Sequence, residues 1–327
     1  MKINVTFLWL FLALSGLMNC SSDNEIAAEE ATPNSSENTE EIANPNGERY
    51  ISEVFDDYTV TTDIEFATVV NADNEEETLR LDFYEPEGDI ETARPLIVFA
   101  HGGGLIRGDK EEGVFLAPLF CKSGYTVASI NYRLANSQAN SAVMLTGLID
   151  AVNDMKAAVR FLKERKDEFR IDSNQITIGG TSAGAFLALH YGYVESGQEL
   201  AEIAGMPILT YFNENGGLEG NSGNSGSAFP VKAVFNFAGA LANSSLLDEN
   251  EAPIFSAHGT ADDTVPYERG EADESGIQTE GSKLIHDRAN EVGVTNKLIT
   301  IPNGSHNVVG ECSNCLEELR AFLFEQQ

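Results

Sequence analysis

Residues 58–70 and 78–84 alternate apolar and polar positions, the period of strands that bury one face, and Asn71-Ala72-Asp73-Asn74 between them is turn chemistry. They predict an antiparallel pair. The runs 95–100, 126–130, 175–179, 231–237, 253–257 and 297–301 are apolar on consecutive residues and rich in β-branched or aromatic side chains, as in strands covered on both faces. Helical stretches at about 113–122, 142–166, 183–194, 281–292 and 312–324 separate them. The alternation predicts an α/β fold: a doubly wound, mostly parallel sheet with antiparallel N-terminal strands, sandwiched between helices through right-handed crossovers. Ligands of such sheets bind at the carboxyl ends of the strands, so chemistry is sought in the loops that leave them.

Two regions depart from this rhythm. Residues 199–229 form a long insert, either a lid, a pocket wall or a surface loop, and the Gly, Asn and Ser content of 216–228 predicts loop there. At the other end, Lys2 and the apolar stretch 5–17 precede Cys20, an arrangement similar to a bacterial lipoprotein signal. The stretch is too short to span a membrane comfortably. That similarity implies a signal peptide at 1–19, lipidation of Cys20, and an exported protein anchored by acyl chains to the outer membrane, facing the periplasm or the cell surface. Asn19 departs from the small residue usual before the cysteine. Residues 20–49 are acidic and nearly free of large apolar side chains, so they read as a solvated tether, and 50–327 reads as one catalytic domain.

Charge narrows the partners. With 52 acidic against 20 basic residues the formal net charge is −32, which excludes nucleic acid as an electrostatic partner. The one tryptophan, Trp9, lies inside the signal, so no Trp platform for sugars exists in the mature chain. Of four cysteines, Cys20 is assigned to lipid and Cys121, amid apolar neighbours, to the core. Cys312 and Cys315 are expected to form a local disulfide, with free thiols or half a metal site as the alternatives; no second Cys or His pair has metal spacing, so no metal is expected.

The chemistry sits where the strands end. Gly180-Thr181-Ser182-Ala183-Gly184 follows a predicted strand and opens a helix, the context that makes Ser182 a nucleophile on a tight, strained turn. His101-Gly102-Gly103-Gly104 follows another strand, and its glycines let backbone approach a substrate oxygen closely. The N–H groups of Gly103, Gly104 and Ala183 are the expected oxyanion donors. Neither Gly-Lys-Ser/Thr nor Gly-x-Gly-x-x-Gly accompanies the loop, which argues against a phosphate cradle. A serine needs a base, and there are five histidines. His101 is expected to fasten its own loop, His190 to pack or cap, His258 to orient the following turn, and His286 to face solvent on a polar helix. His306, after the last strand, is left as the base. His258-Gly259-Thr260-Ala261-Asp262-Asp263-Thr264-Val265-Pro266 supplies two neighbouring carboxylates; Asp262, four before Pro266, resembles the acid of the common His-Gly-Thr-x-Asp-x-x-Val-Pro turn and is the expected acid, with Asp263 a solvated neighbour or turn former.

From about residue 58 onward the chain resembles the α/β-hydrolases, specifically the carboxylesterase/lipase group with the His-Gly-Gly-Gly motif, akin to hormone-sensitive-lipase-like esterases. The resemblance rests on the three blocks above and on 99–109, Ser129-Ile130-Asn131-Tyr132-Arg133-Leu134 and Ala157-Ala158-Val159-Arg160-Phe161. The order Ser182, Asp262, His306 is also that superfamily's order. It implies hydrolysis of small-molecule or polymer-bound esters of short or medium acyl chains, acylated polysaccharide among them, through an acyl-serine and without a cofactor. A serine peptidase or amidase of the same fold, or a silent surface binding protein, are the alternatives. Residues 50–95 read as strands where many such esterases carry a helical cap.

Overall fold

Among the described residues the strands, in chain order, are β1 (Tyr58–Val70), β2 (Glu76–Pro86), β3 (Arg94–Ala100), β4 (Thr126–Ile130), β5 (Ile171–Thr181), β6 (Ala233–Phe237), β7 (Ala240–Leu241), β8 (Ile254–Gly259), β9 (Arg269–Glu271), β10 (Gln278–Gly281) and β11 (Asn296–Ile301). The helices are α1 (Ala117–Lys122), α2 (Ser141–Glu164), α3 (Ala183–Tyr193), α4 (Gly197–Ala204), α5 (Met206–Glu214), α6 (Ser282–Val292), α7 (Val308–Glu311) and α8 (Cys315–Glu325). The computed structural model describes residues 48–135, 141–272 and 277–327. The signal 1–19, Cys20 and all but the last two residues of the tether 20–49 lie outside the described residues.

The main sheet runs β1-β2-β4-β3-β5-β6-β8-β11. β1, β2 and β4 pair antiparallel and every later neighbour pairs parallel. Consecutive apolar residues follow from two covered faces: in β3, Leu96, Val98 and Ala100 pack into one core with α2, α3 and α6, while Ile97 and Phe99 pack into the other with α1 and α8. The expected helix at 113–122 is two pieces, a 3₁₀ turn at Lys110–Leu116 capped by the Asp109 side chain and then α1, with Pro118 in its first turn. The expected helix at 312–324 is α8, which begins at Cys315, and a single turn that was not expected, α7, precedes it.

The insert is more ordered than its composition suggests. Ser196 and Glu199 form a reciprocal capping box that starts α4, and Pro207 opens α5, so the first half is helical. The Gly-, Asn- and Ser-rich half is loop as expected, but it is fastened to α2. Lys156 donates to the Leu218 carbonyl, Arg160 to those of Glu219, Gly223 and Asn224, and Lys163 to that of Ala228. A loop with few side chains to bury leaves carbonyls to satisfy, and three cations on one stripe of a helix supply the donors.

The expectation for His286 was wrong. It is only 3% exposed, because α6 turns Ser282, Ile285, His286 and Ala289 inward together. Its Nδ1 meets Asn296 Oδ1 at 2.8 Å, and burial pushes its pKa down to about 4, so it is neutral.

Candidate active site

β5 delivers the chain into a turn where Ser182 adopts φ 51° and ψ −120°, a left-handed conformation unusual for a residue with a side chain. The turn is held from both sides. The Ser182 N–H donates to the Phe237 carbonyl at 2.8 Å, and its own carbonyl accepts from Ala185 and Phe186 at 2.9 and 3.1 Å as α3 begins. Gly184 has no room for a side chain, since a Cβ there would lie 2.0 Å from the Ala100 carbonyl oxygen, and this close approach brings α3 against β3.

His306 stands on the loop after β11. Ser305 fixes that loop, its N–H and hydroxyl both donating to Glu311 at 2.8 and 2.5 Å, and Asn303 N–H donates to Thr260 Oγ1 at 2.8 Å. Thus held, His306 Nε2 lies 2.8 Å from Ser182 Oγ and its Nδ1 lies 2.8 Å from Asp262 Oδ2. Facing a carboxylate, Nδ1 carries the proton, which leaves Nε2 to accept from the serine hydroxyl. The three residues are 80 and 44 positions apart in sequence, and one edge of the sheet brings them together.

The Asp262 carboxylate is fully enclosed. Oδ1 accepts from the N–H groups of Thr264 and Val265, each at 2.9 Å, and Oδ2 accepts from His306 and, at 3.1 Å, from His258. Burial alone would push its pKa up; the hydrogen bonds from His258, His306 and Val265 outweigh that and hold it well below the usual carboxylate range. Asp263 is exposed and makes no bond to His306.

His258 does more than orient the turn. Its Nε2 faces two acceptors, Asp262 Oδ2 and the Val265 carbonyl, and therefore bears the proton; Nδ1 accepts from Ser282 Oγ at 2.8 Å. Ser282 in turn accepts from Asn236, which also donates to Ser256 and accepts from the Gly239 N–H. All four side chains are completely buried. Sequence reasoning missed Asn236, Ser256 and Ser282. The available signal was Asn236 itself, a lone amide in an otherwise apolar central strand, which must find partners.

The glycine loop closes the site. Gly103 has φ 100°, and a Cβ there would fall 2.1 Å from the Arg107 carbonyl oxygen, so the turn admits glycine alone. His101 is buried and neutral, its pKa lowered by desolvation, with Nδ1 donating to the Gly102 carbonyl and its ring stacked 4.3 Å from that of Tyr132. Gly103, Gly104 and Ala183 line the same cleft of about 1060 Å³ as Ser182 and His306. Of the other histidines, His190 is buried between the Phe186 carbonyl and the Ala242 N–H, its pKa pushed down to about 4 by desolvation. Cys312 and Cys315 are joined as a disulfide at the start of α8, and Cys121 is buried. Among the described residues no three His, Cys, Asp or Glu side chains are grouped as metal ligands would be.

Solved structures share the fold that carries this site. Thermogutta terrifontis esterase 2 phosphorylated by paraoxon superposes with a TM-score of 0.61 at 21% identity, over 81% of this chain and 94% of that one. The truncated form of a carbohydrate esterase from gut microbiota superposes with a TM-score of 0.57 at 20% identity, over 84% and 97%. The fold is that of the α/β-hydrolases. The BD-FAE family model matches residues 81–242 of this chain, a span that holds the glycine loop and Ser182 and ends before Asp262 and His306. Among curated relatives, the carboxylic ester hydrolase LipN of Mycobacterium tuberculosis is 37% identical over 107 residues, 32% of this chain and 26% of LipN. A probable isoprenylcysteine alpha-carbonyl methylesterase of Oryza sativa, ICMEL1, is 28% identical over 232 residues, 62% of this chain and 51% of that protein. The chain thus spans about half or less of the length of the curated relatives it matches.

Proposed function

We propose that this α/β-hydrolase is a serine-dependent carboxylic ester hydrolase, with Ser182 as nucleophile, His306 as general base and acid, and Asp262 as the carboxylate that orients it. The observation that carries the reading is the pair of 2.8 Å contacts running from Asp262 through His306 to Ser182 Oγ. As Oγ attacks the ester carbonyl, His306 Nε2 takes its proton and the carbonyl oxygen becomes an oxyanion facing Gly103, Gly104 and Ala183. The C–O bond to the alcohol then breaks, His306 returns the proton to the departing oxygen, and an acyl-serine remains. Water repeats the sequence: His306 takes its proton, the acyl group leaves as carboxylic acid, and Ser182 is regenerated. Each oxyanion donor is worth on the order of 3 kcal/mol, or about 100-fold in rate.

The ester hydrolase names among the relatives support the same reaction class. We infer short or medium acyl esters as substrates, acyl groups on polysaccharide included; a structural neighbour named as a carbohydrate esterase supports trying the latter. We further infer export and anchoring to the outer membrane through Cys20, with which the disulfide Cys312–Cys315 is compatible as a feature of an oxidising compartment. Hydrolysis of p-nitrophenyl acetate by the wild type, abolished in Ser182→Ala with an unchanged melting temperature, is the expected result. Faster cleavage of a peptide p-nitroanilide than of the ester would contradict the ester reading, and Cys20→Ser is expected to move the protein from the membrane to the soluble fraction.

A further inference from the structure

A second cavity of about 480 Å³ adjoins the cleft that holds Ser182, and the mechanism above makes no use of it. Leu145, Leu148, His190, Ala242, Ile277 and Thr279 line both, so the two cavities meet at these residues. Two helices border both cavities. Along α3, Phe186 lines the cleft, His190 both, and Val194 the second cavity; along α2, Met144 lines the cleft, Leu145 and Leu148 both, and Ile149 and Val152 the second cavity. The back wall is Leu200, Ile203, Ile208 and Phe212 of α4 and α5, the helices of the insert.

We propose that this cavity is a second subsite, which receives the far end of a linear, saturated acyl chain whose carbonyl lies at Ser182. The inference rests on the ester hydrolase reading. Its direction follows from the proton path: the leaving oxygen must take its proton from His306 Nε2, so the alcohol lies on the side of the cleft walled by His306, Val308 and Val309, and the acyl group points away along α3. Its chemistry follows from the lining, most of whose surface is apolar: Leu145, Leu148, Ala242 and Ile277 at the divide, Ile149 and Val152 of α2, and the back wall. Several polar groups nearby are already engaged. His190 has both ring nitrogens bonded and is neutral, Lys156 donates to the Leu218 carbonyl, and Glu280 is paired with Arg269 and the Ser244 N–H. Glu202, which is exposed, also lines the cavity, and its carboxylate disfavours an anionic ligand there. His190 is eight residues along α3 from Ser182, about 12 Å at the helical rise, a reach that takes an acyl chain of roughly eight to ten carbons.

The test is a series of p-nitrophenyl esters from acetate to dodecanoate on the full-length protein, wild type and Ile208→Trp. In the wild type, kcat/KM is expected to rise about threefold to fourfold per methylene once the chain passes the divide, with a maximum near decanoate. Ile208→Trp fills the cavity from its back wall and is expected to lower the decanoate-to-acetate ratio of kcat/KM at least tenfold. Val152→Phe does the same from α2 and replaces it if Ile208→Trp does not fold. Acetate turnover with activity that falls steadily beyond butyrate, or a ratio unmoved by either folded variant, overturns the subsite and leaves the ester hydrolase standing. Failure to hydrolyse any ester overturns both.

Discussion

Two imidazoles bond to one oxygen of Asp262, and only one of them is equipped to move protons. His306 contacts Oδ2 through Nδ1, keeps Nε2 for the Ser182 hydroxyl, and is 26% exposed at its side chain. His258 contacts the same oxygen through Nε2, but its other nitrogen is filled by Ser282 and its side chain is wholly buried. Residue type and distance to the carboxylate are nearly the same, so neither identifies the base. What separates them is the second partner: a hydroxyl open to the cleft in one case, a closed network ending at Asn236 in the other.

Removing His306 is the harshest test of this contrast. His306→Ala is expected to lower kcat for p-nitrophenyl acetate by roughly 10⁶-fold with little change in melting temperature, because the side chain contributes to chemistry and little to the core. A loss below about 100-fold would make His258 or another group the base. Asp262→Asn ranks next, at about 10⁴-fold, since the amide disfavours the required tautomer in both histidines. This variant also tests the electrostatics. Asp262 titrates lower folded than unfolded, where its pKa is about 3.9, so its stabilisation is complete above that pH and fades as pH falls towards the folded value. Melting temperatures from pH 7 to pH 2.5 are expected to show the gap between wild type and Asp262→Asn shrinking below about pH 4; a constant gap would mean the carboxylate is not held charged.

His258→Gln is expected to cost about 10- to 100-fold in kcat and to lower stability by about 1–3 kcal/mol, because Ser282 and Asp262 each lose a buried partner. Equal losses of rate in His258→Gln and His306→Ala would erase the distinction. Asp263→Asn should change neither rate nor stability measurably, and an effect larger than that of Asp262→Asn would assign the acid to the wrong neighbour.

The contrast also marks what the sequence makes legible. Ser182, Asp262 and His306 each sit in a short local pattern tied to a strand end, so their meeting place follows once the sheet is read as parallel. The Asn236–Ser282–His258 network has no such pattern: its members are 46 and 24 positions apart and are joined only by the pairing of β6 with β8 and the docking of α6. His286 misled for a related reason, since α6 is polar on average yet turns a narrow apolar stripe inward. In the insert, composition identified loop at 216–228 but not its anchors, because nothing local ties Lys156, Arg160 and Lys163 to carbonyls about sixty residues further on.

Labelling with paraoxon tests the central claim most directly. If His306 activates Ser182 as described, the wild type should release one equivalent of p-nitrophenolate, lose esterase activity in step, and carry the phosphoryl group on the peptide containing Ser182, while Ser182→Ala releases none. A full equivalent released by Ser182→Ala, or the label found on another residue, would contradict the account.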